Sequence, residues 1–160
     1  MDPERQLRLM ILAVQREGGR VHARALRPLG LSPAQAEVVT VLADLGPMSL
    51  VELGGHLICE TGSPSRLVAG LVDRGLLARD ATPGDARRVA LSLSDEGEKT
   101  AEEVARLEVA LEAGVAAALT PAEVDRLLGK LWLLVEGRPV GRALVSRIVG
   151  RAGLPPGPWG

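Results

Sequence analysis

The 160-residue chain contains no phenylalanine and no tyrosine, and its only aromatic side chains are Trp132 and Trp159. A core must therefore be aliphatic. Stacking of bases on aromatic platforms, the usual device for holding single strands, is nearly excluded. Cysteine is almost missing too: Cys59 stands alone, so there can be no internal disulfide framework, and a reducing compartment suits the chain. No apolar run approaches the roughly 20 residues needed to cross a bilayer. Met1-Asp2-Pro3-Glu4-Arg5 lacks the basic-then-apolar order of a secretory signal, so the expected location is cytoplasmic. Neither sign of charge prevails, with 19 Lys and Arg against 20 Asp and Glu. No global basic field attracts nucleic acid, and such binding would have to come from local arginine clusters. Two His and one Cys, widely placed, make no nucleophile–base pair, and no phosphate loop is present. The expectation is a chain that is not an enzyme, with no catalytic residue, no metal and no cofactor.

What is present is a series of clear helix starts. Ser32-Pro33-Ala34-Gln35, Ser49-Leu50-Val51-Glu52 and Thr120-Pro121-Ala122-Glu123 all match the capping box, in which a hydroxyl accepts from an orphan N–H while Glu or Gln reaches back. Two of them place Pro at the first helical position, where its missing donor costs nothing. Ser63-Pro64 is a fourth start, and Ser94 followed by Asp95 and Glu96 a fifth. These signals predict helices near 4–17, 20–28, 33–45, 50–57, 64–75, 95–118, 121–136 and 139–150, with a Pro/Gly-rich tail after them.

Between the fifth and sixth of these lies Asp85-Ala86-Arg87-Arg88-Val89-Ala90-Leu91-Ser92-Leu93-Ser94-Asp95-Glu96-Gly97. Val89, Leu91 and Leu93 alternate with small or polar residues, the pattern of a half-buried strand. Thr82-Pro83-Gly84-Asp85 supplies turn chemistry, and Leu76 to Asp80 is the expected partner strand. The hairpin would carry Arg87 and Arg88 near its tip.

In the helix before it, Leu67, Val68, Leu71 and Val72 form an apolar stripe, leaving Ser65, Arg66, Ala69, Gly70 and Asp73 outside. Ala69 and Gly70 would let that helix sit deep in a groove, and Ser65 and Arg66 could reach base edges and phosphates. The plainer alternative is an ordinary amphipathic helix with Arg66 solvated. The preceding short helix, with Leu50, Leu53 and Leu57 facing inward, and the break at Glu60-Thr61-Gly62 complete a helix-turn-helix. A hairpin following it makes a winged one.

At this point the chain resembles the MarR family of winged-helix regulators. The wing segment is similar to that family's D-x-R-x-x-x-L-x-L-[ST]-x-x-G signature at Asp85, Arg87, Leu91, Leu93, Ser94 and Gly97. Gly62 to Leu71, Gly75 to Arg79 and Leu31 to Gln35 resemble the family's recognition helix, following strand and second-helix start. The likeness runs roughly over residues 30–136. It implies a mainly α fold with a small β-hairpin wing, assembled as an intertwined homodimer that binds a pseudopalindromic double-stranded DNA operator, as a ligand-responsive repressor. Recognition helices would enter adjacent major grooves, with half-sites about one turn, roughly 10 base pairs, apart. Together with the exposed face of the recognition helix, this makes Ser63, Pro64, Ser65, Arg66, Ala69, Gly70, Asp85 and Arg87 the expected DNA-binding residues, with Arg88, outside the signature, beside them. Arg87 would contact the minor groove, Asp85 would orient the wing, and Arg88 would touch a phosphate. The chain reads as one domain over 1–160, with the DNA-binding lobe at 30–97, dimerisation helices at 4–28 and 98–150, and a flexible tail at 151–160.

Apolar stripes at both ends agree with a dimer: Leu7, Met10, Ile11 and Val14 in one, Val124, Leu127, Leu128, Leu131 and Val135 in the other. Folding back on their own lobe is the alternative. Arg138, Arg142, Arg147 and Arg151 punctuate the last helix with no acidic residue among them, a basic face that is solvated, interfacial or in contact with phosphate. Arg20, His22, Arg24 and Trp132 are the candidates for contact with a small-molecule effector. Cys59, beside Glu60 and with no adjacent Lys or Arg, reads as a buried structural thiol, although a thiol switch is an alternative, as is a dimeric scaffold without DNA binding. His56 and Cys59, three apart, are a permissible ligand pair, but a tetrahedral site needs four convergent ligands, even if Glu60 and His22 are considered.

Overall fold

Seven α-helices and one antiparallel hairpin make up the described residues of the computed structural model, which are 2–59, 63–82 and 85–152, with backbone alone described at 81–82, 85–88 and 150–152. In chain order they are α1 (Pro3–Leu26), α2 (Pro33–Leu45), α3 (Leu50–His56), α4 (Pro64–Asp73), β1 (Leu77–Thr82), β2 (Asp85–Leu93), α5 (Asp95–Ala118), α6 (Pro121–Trp132) and α7 (Pro139–Ala152). The expected tail beyond Ala152 and the turn residues Pro83 and Gly84 lie outside the described residues, as does the break at Glu60-Thr61-Gly62.

The caps act as their residue types require. At α2, Gln35 N–H donates to Ser32 Oγ (3.2 Å) and Ser32 N–H to Gln35 Oε1 (3.0 Å); Ser49 and Glu52 repeat the exchange at α3. At α6, Thr120 N–H and its hydroxyl both donate to Glu123 Oε2, which holds that exposed carboxyl below its ordinary range. Ser94 closes α5 by accepting from Gly97 N–H at 3.0 Å, and its own hydroxyl donates to the Gly75 carbonyl. Ser63 differs. Its hydroxyl pairs with that of Ser65, and the start of α4 rests on the Ser63 carbonyl accepting from Arg66 N–H.

The first two expected helices are one. Gly18 and Gly19 were the natural place for a break, yet α1 runs through them to Leu26, because two glycines cost about 2 kcal/mol together and the flanking residues are good helix formers. The chain turns only at a 3₁₀ segment, Arg27–Leu29, closed by Gly30 at φ 64°. Conversely α6 stops at Trp132, short of the expected 136, and a turn containing Gly137 (φ 71°) leads into α7, where a side chain on Gly141 would overlap the Val135 carbonyl oxygen.

The core surrounds α2, in which Ala34, Ala36, Val38, Val39, Val41 and Leu42 are all buried. Leu26, Leu53, Val68, Leu71, Leu76, Leu77, Leu91 and Val104 close on it from the other elements, an aliphatic core as composition demanded. Strands β1 and β2 pair from Leu77 opposite Leu93 to Ala81 opposite Val89, with an irregularity before Thr82 meets Asp85. Met48 and Leu91 exchange both backbone hydrogen bonds (3.1 and 2.8 Å), an isolated bridge that ties the segment before α3 to β2. Burial follows the expected alternation only there: Leu91 is buried and Leu93 partly so, but Val89 is exposed because it has passed beyond the helical lobe.

The terminal stripes are largely uncovered by the rest of the chain, although Val124 and Val135 are half-buried. Leu7, Met10, Ile11 and Val14 on α1 and Leu127, Leu128 and Leu131 on α6 are exposed in the single chain.

Candidate nucleic-acid interface

Helix α3 is held by Leu53, which is fully buried, and by partly buried Leu57 just beyond it. Leu50, expected to face inward, is exposed: it is the first residue of the helix and lies over the turn before it rather than over the core. The backbone leaving α3 is gripped from behind. Ile58 N–H donates to Glu37 Oε1 and Cys59 N–H to Glu37 Oε2, both at 2.8 Å.

Helix α4 is anchored by Val68 and Leu71, with Leu67 and Val72 packed at the margins. Ser63, Ser65, Arg66 and Asp73 are exposed, and Pro64 is half-buried. Ala69 and Gly70, expected fully outside, are half-buried, because α2 passes beside them: a Cβ on Gly70 would stand 3.6 Å from Gln35 Nε2. At the far end of α4, Arg74 donates to the carbonyls of Gly30 (2.8 Å) and Leu29 (2.9 Å), tying the helix end to the turn before α2. Sequence reasoning missed Arg74. A cation just past a helix and a φ-positive glycine far upstream carry no joint pattern in one dimension.

Asp85, Arg87 and Arg88 belong to the backbone of β2; their side chains lie outside what is described. Closer to the base, Ser92 Oγ donates to Asp80 Oδ2 across the two strands at 2.8 Å.

The remaining candidates are scattered. Arg20 faces Glu17 at 3.6 Å on the exposed side of α1, Arg24 is exposed, and the Nε2 of half-buried His22 has no hydrogen-bond partner among the described residues. Trp132 is buried at the end of α6, donating to Glu136 Oε1, and lines a cavity of about 460 Å³ with Arg142, Val145 and Val149; Arg20, His22 and Arg24 do not line it. His56 and Cys59 do not converge: His56 Nδ1 is 2.7 Å from Ser146 Oγ, while Cys59 turns toward Glu37. Cys59 is exposed as a residue, so the expectation of a buried thiol needs correcting, but local burial and then the Glu37 charge push its thiol up to about 11. The raised value disfavours the thiolate, the form that reacts, and so weighs against a thiol switch.

The basic helix at the end of the chain packs on α2 and α3 with Arg138 and Arg142 exposed, as the plainer reading expected, while Arg147 departs from it by turning inward; the side chain of Arg151 lies outside what is described. Arg147 Nη1 donates to Glu37 Oε1 at 2.8 Å, and Arg142 donates to the Gly137 carbonyl at the start of α7. Glu37 sits among apolar residues of α2, where the sequence offered no sign of its partners.

Residues 31–89 match the model of the MarR family. The chain is 39% identical over 70 residues to the uncharacterized HTH-type transcriptional regulator YcgE of Bacillus subtilis (strain 168), which covers 44% of this chain and 46% of that protein. The matched segment thus spans about half the length of that relative. Among solved structures, a mutant MarR from E. coli complexed with operator DNA superposes with a TM-score of 0.72 at 27% identity, over 81% of this chain and 94% of that one. The organohalide-sensing regulator RdhR-CbdbA1625, in its 2,4-dichlorophenol-bound form, superposes at 0.76 with 21% identity, over 87% and 83%, and shares the fold. A helix-turn-helix built on α3 and α4, a wing segment carrying the full signature, and these likenesses agree: over residues 31–89 the chain is similar to the MarR family, and its fold is shared with MarR proteins.

Proposed function

We propose that the chain is a transcription regulator that binds a pseudopalindromic operator in double-stranded DNA as a homodimer, acts as a repressor in the cytoplasm, and releases DNA when a small-molecule effector binds. The observation that carries this reading is α4: one face is locked into the core by Val68 and Leu71 while Ser65, Arg66 and Asp73 are exposed on the other. A rigid helix with small and polar exposed residues is what a major groove admits. The likeness to a MarR protein complexed with operator DNA supports the same partner.

In this reading 30–97 is the DNA-binding lobe, 4–28 and 98–150 supply the dimer helices, and Ser63, Pro64, Ser65, Arg66, Ala69, Gly70, Asp85, Arg87 and Arg88 form the contact surface. Arg20, His22, Arg24 and Trp132 are the effector candidates; an effector that needs all four must find them brought together by the dimer. The fold shared with a regulator seen with 2,4-dichlorophenol favours looking among small phenolic anions. No helix among the described residues is long and apolar enough to cross a membrane.

The test is selection of bound duplexes from a random library by the purified protein. Recovery of two half-sites about 10 base pairs apart is the expected result. Failure to retain any duplex at low salt and micromolar protein points instead to a dimeric scaffold.

A further inference from the structure

Helix α7 lies behind the helix-turn-helix and touches it through polar groups. A cavity of about 650 Å³, lined by Leu57, Ile58, Pro64, Leu67, Pro139 and Ala143 among others, separates the beginning of α7 from the α3–α4 turn, so apolar packing between them is incomplete. Two ties span the remainder. His56, the last residue of α3, meets Ser146. Since the Ser146 hydroxyl donates to the Ala143 carbonyl at 2.8 Å, His56 Nδ1 must be the donor in the 2.7 Å contact. Next to it, Arg147 donates to Glu37, whose two carboxylate oxygens already accept from Ile58 N–H and Cys59 N–H. The Glu37 side chain is 6% exposed and that of Arg147 25%.

We propose that Glu37 and Arg147 form a positioning clamp through which α7 fixes the backbone leaving α3 at Ile58 and Cys59, and through it the angle at which α4 is presented to DNA. The two ends of α4 are held by different parts of the molecule. Its C-terminal end is tied by Arg74 to the turn before α2; its N-terminal end follows the turn a few residues after Cys59. A shift of α7 would therefore move Ile58 and Cys59, and with them the approach of the chain to the end of α4 that carries Ser65 and Arg66. Removal of Arg147 leaves a buried carboxylate without its cation, and such a group either takes up a proton or recruits water. Both outcomes weaken its hold on the Ile58 and Cys59 amides. The inference rests on the DNA-binding reading and assigns regulation to the same surface.

The full-length protein and its Arg147→Met, Arg147→Lys, Glu37→Gln and Arg126→Met variants are titrated, at one salt concentration, with the duplex that wild type selects and with an unrelated duplex. Arg126 is exposed, so its replacement removes the same charge elsewhere. Arg147→Met should lose about tenfold in affinity for the selected duplex, the size of one lost base contact, with less than about twofold change on unrelated DNA. Arg147→Lys should recover most of the loss. Amide exchange at Ile58 and Cys59 should accelerate in Arg147→Met and Glu37→Gln, with dimerisation and helix content kept. Equal losses on both duplexes would make Arg147 a phosphate contact and overturn the clamp, as would behaviour like that of Arg126→Met or unchanged exchange at the two amides. If wild type selects no duplex, the DNA reading fails, and the exchange data alone decide whether the clamp holds the backbone leaving α3.

Discussion

A methyl group at Gly97 would overlap the carbonyl oxygen of Leu76 and press on Leu93 Cδ2 at 3.3 Å. The last position of the wing signature is therefore a close-approach glycine: α5 begins against the backbone that enters β1, and only hydrogen fits between them. Gly97→Ala should destabilise the fold by about 1–3 kcal/mol, the range for overpacking a closed site, and urea unfolding measures it; an unshifted midpoint means the backbone yields freely. Cys59 makes a second residue-scale prediction. A thiol raised to about 11 favours its protonated form in the folded state. Its contribution to stability is full below the unfolded value near 9 and declines as pH rises from there toward 11. Alkylation by iodoacetamide should accordingly be slow at about pH 8 and still be rising above about pH 9; a plateau near the ordinary thiol value contradicts the assigned environment. Gly97 was legible in the sequence because its motif is local. Glu37 was not, since its donors come from Ile58, Cys59 and Arg147, and nothing within α2 marks a carboxylate whose partners are distant in sequence.

Among elements, legibility follows the same division. Helix starts were readable because a capping box is complete within four residues, and α2, α3, α5 and α6 begin where their caps place them. Helix ends were harder. Tolerance of Gly18 and Gly19 within α1, and the stop of α6 at Trp132, depend on the residues beyond and on the surfaces each segment meets. The wing's strands were legible from alternation, although exposure of Val89 shows that alternation gives the face and not the depth. Two substitutions separate the roles proposed for wing and recognition helix. Arg87→Ala should weaken operator binding at fixed salt and reduce the salt slope by about one unit if it neutralises a phosphate, leaving the dimer intact. Arg66→Ala should instead change which sequences are selected. Uniform loss across unrelated duplexes would transfer Arg66 to the phosphate contacts, and unchanged affinity for Arg87→Ala would remove the wing from the interface.

For the whole molecule, the exposed stripes decide how the parts are used. Leu7, Met10, Ile11 and Val14 on α1 and Leu127, Leu128 and Leu131 on α6 form two apolar faces that the single chain leaves in water. Fully burying a leucine-sized side chain is worth roughly 1.5–3 kcal/mol, and these side chains are already about half-buried, so it is the two faces covered in both copies together that offset the cost of association. Charge placed within a face reverses the sign locally. Met10→Asp and Leu127→Asp should each shift the proposed dimer toward monomer in sedimentation velocity, because desolvating an ionised carboxylate within an apolar face is costly. On the proposed function, operator affinity falls with it: a monomer would contribute one recognition helix and hold one half-site, whereas a dimer would engage the second half-site at the high effective concentration set by its own framework. Helix content should persist in the monomer, since the core around α2 is formed within one chain. A variant that remains dimeric with wild-type affinity would place the interface elsewhere. One that becomes monomeric yet binds the full operator unchanged would break the link between two-fold assembly and pseudopalindromic recognition on which the functional reading depends.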